Sequence, residues 1–176
     1  MRVIAGAYGG RELVAPKGRS TRPTSDRVRE ALFSILADVD GARVLDLFAG
    51  SGALAIEALS RGAGAATLVD SSPAAIDAIR RNLEALALEA EVVRGPAARY
   101  LELARRRARQ YDLVFLDPPY RRASTLGREL TAALAPVLAP GARVVSESDR
   151  RSPLALELAI LDERHYGDTL IHIHGT

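Results

Sequence analysis

The chain has 176 residues, of which 48% are hydrophobic and 26% charged, and its formal net charge is +2 at pH 7. This length predicts one core with a small appendage rather than two ordinary domains. The sequence has no cysteine, which excludes disulfides, zinc–thiolate clusters and thiolate nucleophiles. No apolar run approaches the roughly 20 residues of a membrane span, and the first residues lack the apolar core of a signal peptide. We therefore expect a cytoplasmic protein that does not enter a membrane.

The first segment, residues 1–24, predicts a short β-hairpin arm. Two apolar stretches, at 3–5 and 13–15, are separated by glycines and followed by proline and glycine breakers. The segment is rich in basic side chains, and Glu12 is its only acid. This bias favours contact with phosphate groups.

The remaining segment, residues 25–176, predicts helices that alternate with apolar strands. Thr24, Ser25 and Asp26 supply N-cap side chains for a helix that ends near Gly41. The strands predicted after it cover residues 43–47, 65–70, 91–94, 111–117 and 142–147. The helices predicted between them cover residues 53–60, 73–88, 97–109 and 124–138. Near-continuously apolar strands in this alternation predict a parallel sheet covered on both faces.

The last two apolar segments, residues 154–161 and 169–174, are separated by a polar loop that contains Gly167. This pattern predicts an antiparallel pair of strands at the end of the chain. His172 and His174 alternate with isoleucines in the second segment, which indicates the polar face of a strand.

A glycine turn at residues 46–52 follows the first predicted strand of the sheet, where an open α/β sheet forms its ligand crevice. Gly50 and Gly52 allow the backbone to approach a ligand closely. Asp70 ends the next strand, at the spacing of an acid that binds ribose hydroxyls. The turn also fits a loose dinucleotide fingerprint. However, Asp46 would repel a pyrophosphate, whereas it can hold the ammonium of a methionine-like amino acid, and the chain has no room for the substrate domain of a dehydrogenase.

A second loop, Asp117-Pro118-Pro119-Tyr120, follows the predicted strand at 111–117. Two successive prolines remove two amide donors and leave carbonyl and carboxylate acceptors. An exocyclic base amine offers two N–H donors to such a group, and Tyr120 offers a flat face for stacking. An amine that attacks a sulfonium methyl group needs placement and desolvation more than a strongly shifted base. The missing cysteine argues against methylation at C5 of a pyrimidine.

These two motifs occur together with the helix Arg22-Pro23-Thr24-Ser25-Asp26-Arg27-Val28-Arg29-Glu30-Ala31-Leu32-Phe33 and with residues 56–63. In this combination the chain resembles the bacterial 16S ribosomal RNA guanine-N2 methyltransferases of the RsmD type. The resemblance covers nearly the whole chain. Asp-Pro-Pro-Tyr alone is shared with adenine-N6 DNA methyltransferases, whereas the Arg-Pro-Thr helix is much more selective.

The resemblance implies a class I S-adenosylmethionine-dependent methyltransferase fold, which is α/β and Rossmann-like. We expect a seven-stranded, mainly parallel sheet with an antiparallel terminal pair, preceded by the short N-terminal hairpin arm. It further implies S-adenosyl-L-methionine as donor, S-adenosyl-L-homocysteine as product and no metal. The expected acceptor is a guanine N2 of 16S rRNA, presented by a small-subunit particle to a monomeric enzyme.

The resemblance also assigns roles to residues of two groups. The catalytic group that holds the guanine amine comprises Asp117, Pro118, Pro119 and Tyr120. The donor-binding group comprises Thr24, Asp46, Phe48, Ala49, Gly50, Gly52, Asp70 and Ser71. The basic bias of the arm further predicts an RNA-binding group, which comprises Arg11, Lys17, Arg19 and Arg22. Arg27, Arg29 and Glu30 are instead interpreted as an exposed, salt-bridged helix face.

Two alternatives stay open at this level. One is an adenine-N6 amino-methyltransferase that acts on DNA or another RNA, and the other is a non-catalytic rRNA-binding assembly factor. Base-flipping DNA enzymes usually carry a sizeable target-recognition region, which the 1–24 arm and short loops do not supply. The chain also departs from the family at Arg94-Gly95-Pro96-Ala97, where an acid that contacts the donor adenine is expected, and this leaves the adenine contact open.

Overall fold

The computed structural model describes residues 1–17, 25–36, 38–118 and 123–176. Its helices are α1 (Asp26–Leu36), α2 (Ala53–Ser60), α3 (Pro73–Ala85), α4 (Ala97–Arg106) and α5 (Ala123–Leu134). Its strands are β1 (Arg43–Asp46), β2 (Ala65–Asp70), β3 (Glu91–Arg94), β4 (Tyr111–Leu116), β5 (Leu138–Asp149), β6 (Ala159–Tyr166) and β7 (Thr169–Gly175). No helix of the described ranges is long and apolar enough to cross a membrane.

Within the described residues, seven strands form one sheet in the order β3-β2-β1-β4-β5-β7-β6. Strands β1 to β5 pair in parallel, and β7 pairs antiparallel with β5 and with β6. The predicted antiparallel terminal pair is therefore present, and β7 lies between β5 and β6. This topology confirms the predicted fold class.

Apolar side chains cover both faces of the sheet, as the unbroken apolar strands predict. On one face, residues such as Phe115 pack with the apolar sides of α1, α2 and α3. On the other face, residues such as Val114 pack with α4 and α5. The carboxyl ends of β1, β2, β4 and β5 therefore meet at one edge of the sheet, between the two helical layers.

Four helices end earlier than the sequence predicts, and two of them are α1, which ends at Leu36 rather than near Gly41, and α5, which ends at Leu134 rather than at residue 138. Helix α3 ends at Ala85 rather than at residue 88, and α4 ends at Arg106 rather than at residue 109. In both cases an alanine just beyond the helix has a positive φ, 49° at Ala87 and 50° at Ala108. Alanine rarely adopts this conformation, so the sequence contains no glycine signal for either end.

Strand β6 begins later than the predicted segment 154–161. The antiparallel register pairs Tyr166 with Thr169, which leaves a two-residue turn in which Gly167 has a φ of 64°. The position of this turn places the polar residues that precede it in strand β6. They are tolerated because β6 lies at the edge of the sheet, and Leu154 instead packs in the core beside α4 and α5.

His172 and His174 lie on β7 and alternate with isoleucines, as predicted, and the polar face that they form is buried. Strand β6 makes β7 an interior strand, and the two side chains are 8% and 1% exposed. His174 Nε2 lies 3.2 Å from Ser146 Oγ, and His172 Nε2 lies 2.7 Å from a carboxylate oxygen of Glu163. Burial lowers the pKa of His174. Alternation alone does not reveal whether a polar face is covered.

The N-terminal arm packs closely against α2 and α3. An isolated bridge pairs Arg2 with Glu12, and the side chains of Val3 and Leu13 are buried in the core. The arm thus adds apolar surface to the layer formed by α1, α2 and α3.

A buried ion pair lies between the arm and the first two helices. The amides of Ile4 and Ala5 donate to the Glu57 carboxylate at 2.7 and 3.1 Å. Arg29, predicted on an exposed helix face, is instead fully buried, with its Nε 3.9 Å from the same carboxylate. Arg27 and Glu30 are exposed as predicted. The Arg29 prediction fails because the arm covers this side of α1, as the bond from Arg29 to the Arg2 carbonyl shows.

Candidate active site

Four neighbouring strands each bring a carboxylate to the carboxyl edge of the sheet. In spatial order these are Asp70 on β2, Asp46 on β1, Asp117 just after β4, and Glu147 on β5. The pairing of Leu116 with Ser146 places Asp117 next to Glu147 on adjacent strands, which are about 4.8 Å apart in a sheet. The structure therefore brings the two predicted motifs together at one crevice.

The glycine turn after β1 depends on two residues with left-handed backbone conformations. Gly50 has a φ of 56° and Gly52 a φ of 80°. A Cβ at Gly52 would lie 2.8 Å from Leu68 Cδ2 and 3.3 Å from Ile79 Cγ1, so a larger residue would have to displace these buried side chains. The turn thus packs tightly on the sheet and α3, while its backbone faces the crevice at the start of α2.

The Asp70 carboxylate, at the end of β2, accepts backbone amides from the glycine turn and from the loop that follows β2. One carboxylate oxygen accepts the Gly50 amide at 3.0 Å, and the other accepts the Ser72 amide at 2.8 Å, next to the exposed Ser71. The Asp70 carbonyl also accepts the Gly95 amide at 3.0 Å. The Asp70 carboxylate, which is predicted to bind ribose, therefore also stabilises the glycine turn. A carboxylate can accept about four hydrogen bonds, so it can accept hydroxyl donors in addition to these two amides.

Asp46 is a buried and electrostatically perturbed acid of the crevice. It is 2% exposed, and burial, with a contribution from the Asp70 charge, raises its pKa to about 7 against the opposing effect of the Ala55 and Phe48 amides. Within the described part of the chain, no basic side chain is among the groups that act on it. A buried carboxylate without a cationic partner is complementary to a cationic ligand group.

Asp117 follows β4 directly, beside the glycine turn. It is half-buried, and the following Pro118 is buried. The Leu47 amide donates to the Phe115 carbonyl at 3.2 Å, which continues the β1–β4 pairing as far as the turn. Phe48 and Ala49 thus lie next to the segment that carries Asp117.

Several predicted site residues lie outside the described residues. These are Arg19, Arg22, Thr24, Pro119 and Tyr120.

Two of the four predicted RNA-binding residues, Arg11 and Lys17, lie within the described residues. The Arg11 guanidinium donates to the Ala85 carbonyl at 3.3 Å, at the end of α3. Lys17 is exposed on the chain that leads back toward α1.

Two buried polar residues at this edge were not singled out from the sequence. Glu147, on β5, is 7% exposed, and Asn82, on α3, is 2% exposed. Glu147 ends a predicted strand, which is a weak signal. Asparagine inside a helix is a poor helix former, and that unfavourable choice was the one available signal for Asn82.

A family model described as "Conserved hypothetical protein 95" matches residues 1–175. The chain belongs to this family. It is the RsmD family, so the resemblance inferred from the motifs is confirmed. The chain is 39% identical to the Bacillus subtilis protein YlbH, which bears the name of an rRNA methyltransferase, over 99% of this chain and 98% of YlbH.

Further relatives of the family share its fold. The Escherichia coli ribosomal RNA small subunit methyltransferase D is 45% identical over 69% of this chain and 61% of its own length. A solved structure of the E. coli methyltransferase yhhF superposes with a TM-score of 0.83 at 35% identity, covering 99% of this chain and 97% of that one. These matches agree with the class I methyltransferase topology of the sheet.

Proposed function

We propose that this chain transfers a methyl group from S-adenosyl-L-methionine to the exocyclic N2 of a guanine in 16S rRNA, leaving S-adenosyl-L-homocysteine. The observation that carries the proposal is the position of Asp46, a buried carboxylate without a described cationic partner, at the glycine turn and one strand from Asp117. The relatives named as rRNA methyltransferases support the same reaction and substrate class.

The residues of the crevice fit the proposed donor. At Gly50 a Cβ would meet only the Phe48 carbonyl oxygen at 4.0 Å, so this glycine leaves open space at the turn for a close-fitting nucleoside. Asp46 matches the ammonium of the methionine moiety, and Asp70 matches the ribose hydroxyls. When bound, the donor supplies a methyl group on a positively charged sulfur.

One wall of the proposed donor site differs from what the family resemblance implies. Arg94 and Pro96 are exposed on either side of the half-buried Gly95, and no acid stands there. Pro96 also lacks an amide donor. The adenine is therefore held through backbone groups or apolar contact rather than through a carboxylate.

The acceptor side of the crevice holds and orients an amine. The Asp117 carboxylate and the Pro118 carbonyl accept its two N–H bonds, which turns the nitrogen lone pair toward the methyl group. As the nitrogen bonds to the methyl carbon, the carbon–sulfur bond breaks and the positive charge passes to the nitrogen. The Asp117 carboxylate stabilises that charge at short range, and the nitrogen then loses its surplus proton to solvent. Placement in a dry crevice thus supplies most of the rate acceleration.

The acceptors on β4 and β5 favour guanine over adenine. Guanine presents two neighbouring donor groups, N1–H and the N2 amine, whereas adenine places an acceptor nitrogen beside its amine. Asp117 and Glu147 put two carboxylates on adjacent strands at this position. Two neighbouring carboxylates match the two donors of the guanine edge better than the donor and acceptor of the adenine edge, which favours guanine over the adenine-N6 alternative.

The arm, residues 1–24, is proposed to face rRNA phosphates while residues 25–176 carry the reaction, with one chain acting on a small-subunit particle. Lys17, Arg19 and Arg22 precede α1 and are the basic residues proposed to reach the RNA near the crevice. Charge reversal at Lys17 and Arg19 should reduce the salt dependence of RNA binding. If the salt dependence of RNA binding is unchanged in these variants, Lys17 and Arg19 do not contact the RNA. Arg11→Glu tests separately whether the RNA reaches the end of α3.

The deciding experiment incubates the protein with labelled S-adenosylmethionine and small-subunit particles from cells that lack the modification. We expect labelled N2-methylguanosine in digested 16S rRNA, mapped to one nucleotide by mass spectrometry. Labelled N6-methyladenosine would overturn the guanine assignment. Binding of rRNA without any calorimetric binding of donor would instead support the assembly-factor alternative.

A further inference from the structure

A buried asparagine joins the N-terminal arm to the glycine turn. The Asn82 Oδ1 accepts the Val14 amide at 2.8 Å, and its Nδ2 donates to the Val14 carbonyl at 3.0 Å and to the Ser51 carbonyl at 2.8 Å. The side chain is 2% exposed. Both amide hydrogens and the carbonyl of Asn82 are thereby engaged, and no other residue type supplies this set of groups at this length.

The Ser51 carbonyl lies at the centre of the turn. The turn is held on its β2 side by the bond from the Gly50 amide to Asp70. Asn82 holds it on the α3 side, at the peptide that leads into Gly52. Met1 adds a second link from the arm, because its sulfur lies 3.7 Å from Ser51 Oγ.

The backbone of Val14 depends on Asn82 for its position. Its side chain is 49% exposed, so apolar burial contributes little there. Earlier parts of the arm are tied to α2 instead, through Glu57 and through the Tyr8 amide, which donates to Ser60 Oγ at 3.0 Å. Asn82 is therefore the contact through which the end of the arm acts on the turn.

We infer that Asn82 is a positioning residue that couples occupancy of the arm by RNA to donor affinity at the turn. The inference rests on the proposed function, which assigns the arm to RNA and the turn to the donor. An RNA that binds the arm and holds the Val14 backbone also holds the Ser51 carbonyl through Asn82, so the turn loses less freedom when the donor binds. Coupling of this kind is reciprocal, and the donor raises RNA affinity by the same factor.

The test uses S-adenosylhomocysteine as the probe and unmodified small-subunit particles as the RNA. We expect saturating S-adenosylhomocysteine to tighten particle binding by the wild-type protein about fivefold or more. In Asn82→Ala the ratio of particle affinities with and without S-adenosylhomocysteine should fall to about one. The matched control is Leu83→Ala, which removes a neighbouring buried side chain of α3 that contacts neither Val14 nor Ser51 through a hydrogen bond, and it should keep the wild-type ratio.

A second measurement needs no variant. Hydrogen exchange on the wild-type protein should show that S-adenosylhomocysteine slows exchange of the Val14 amide as well as of the turn. Unchanged exchange at Val14, or an undiminished ratio in Asn82→Ala, would overturn the coupling role. Failure of the proposed function looks different, because the wild-type protein would then bind no S-adenosylhomocysteine or would methylate no rRNA.

Discussion

Asp46 and Asp70 end neighbouring parallel strands, and burial together with the Asp70 charge raises the pKa of Asp46 to about 7. The crevice thus contains two carboxylates close enough to repel each other, with one of them almost completely removed from water. A cationic ligand relieves both costs at once. Ligand recognition and the instability of the empty crevice therefore have the same physical origin.

Replacing Asp46 by asparagine should stabilise the protein in the absence of donor. Because the folded-state pKa is raised, the folded protein holds a proton that the unfolded chain releases as the pH rises from about 4 to about 7, and stability falls over that window. Asparagine does not titrate, so the variant does not lose stability over this pH range, and its side chain keeps an oxygen acceptor. We expect Asp46→Asn to gain about 1–3 kcal/mol at pH 8, measured by urea unfolding. The exposed Asp77→Asn should change nothing, and equal stability of Asp46→Asn and wild type would contradict the cause given.

Donor affinity should depend on pH through the same carboxylate. The ammonium of the ligand binds the charged form of Asp46, so affinity should be highest above about pH 7 and fall by up to about tenfold per pH unit below it. Calorimetry with S-adenosylhomocysteine between about pH 5 and about pH 8 measures this. In Asp46→Asn the affinity should be weak and nearly independent of pH. A wild-type affinity that does not vary with pH would show that Asp46 does not face the ammonium.

Alanine at Gly52 should damage the turn through both its backbone and its side chain. The φ of 80° is unfavourable for alanine, and its Cβ would contact Leu68 at 2.8 Å. We expect Gly52→Ala to lose about 1–3 kcal/mol of unfolding free energy together with most donor affinity. Gly141→Ala is the matched control, because it has a similar φ of 74°, a Cβ there meets nothing within 4 Å, and it lies near the start of β5, at the end of the sheet opposite the crevice. Donor binding that survives in Gly52→Ala would place the ligand elsewhere.

Asp117→Ala should abolish methyl transfer while it leaves donor binding nearly unchanged. Loss of one group that stabilises a developing charge typically costs about 100-fold or more in rate. The control is Asp112→Ala on the same strand, whose carboxylate pairs with Arg43 at the opposite edge of the sheet. Labelled-donor assays and calorimetry separate the two effects. Wild-type activity in Asp117→Ala would refute the amine clamp.

Glu57→Gln should weaken the attachment of the arm. Its carboxylate is fully buried, accepts two arm amides and faces the buried Arg29. The change leaves the buried Arg29 with Asp26 as its counter-charge and Arg61 without its partner. Breaking a buried ion pair typically costs about 3–5 kcal/mol. Urea unfolding measures the loss, and the exposed Glu30→Gln provides the baseline. A loss below about 1 kcal/mol would mean that the arm is held mainly by apolar contacts.

The fold class and the crevice could be predicted because they depend on short-range patterns. Unbroken apolar strands separated by helices specify a sheet with two covered faces. The glycines of the 46–52 turn indicate a backbone that can approach a ligand closely. Strand ends of such a sheet share one edge, so Asp70, Asp46 and Asp117 were expected near one another. The helix ends at Ala87 and Ala108 were missed, since alanine carries no signal for a positive φ.

Burial of polar groups was decided by segments that are distant in sequence. Arg29 is buried because the arm folds over α1, and His172 is buried because β6 adds a further strand beside β7. Asn82 reaches Val14 and Ser51, which are 68 and 31 residues away. A local pattern shows which side chains alternate, but not which element will cover them. That depends on how the helices and strands pack together, and only the folded chain contains this information.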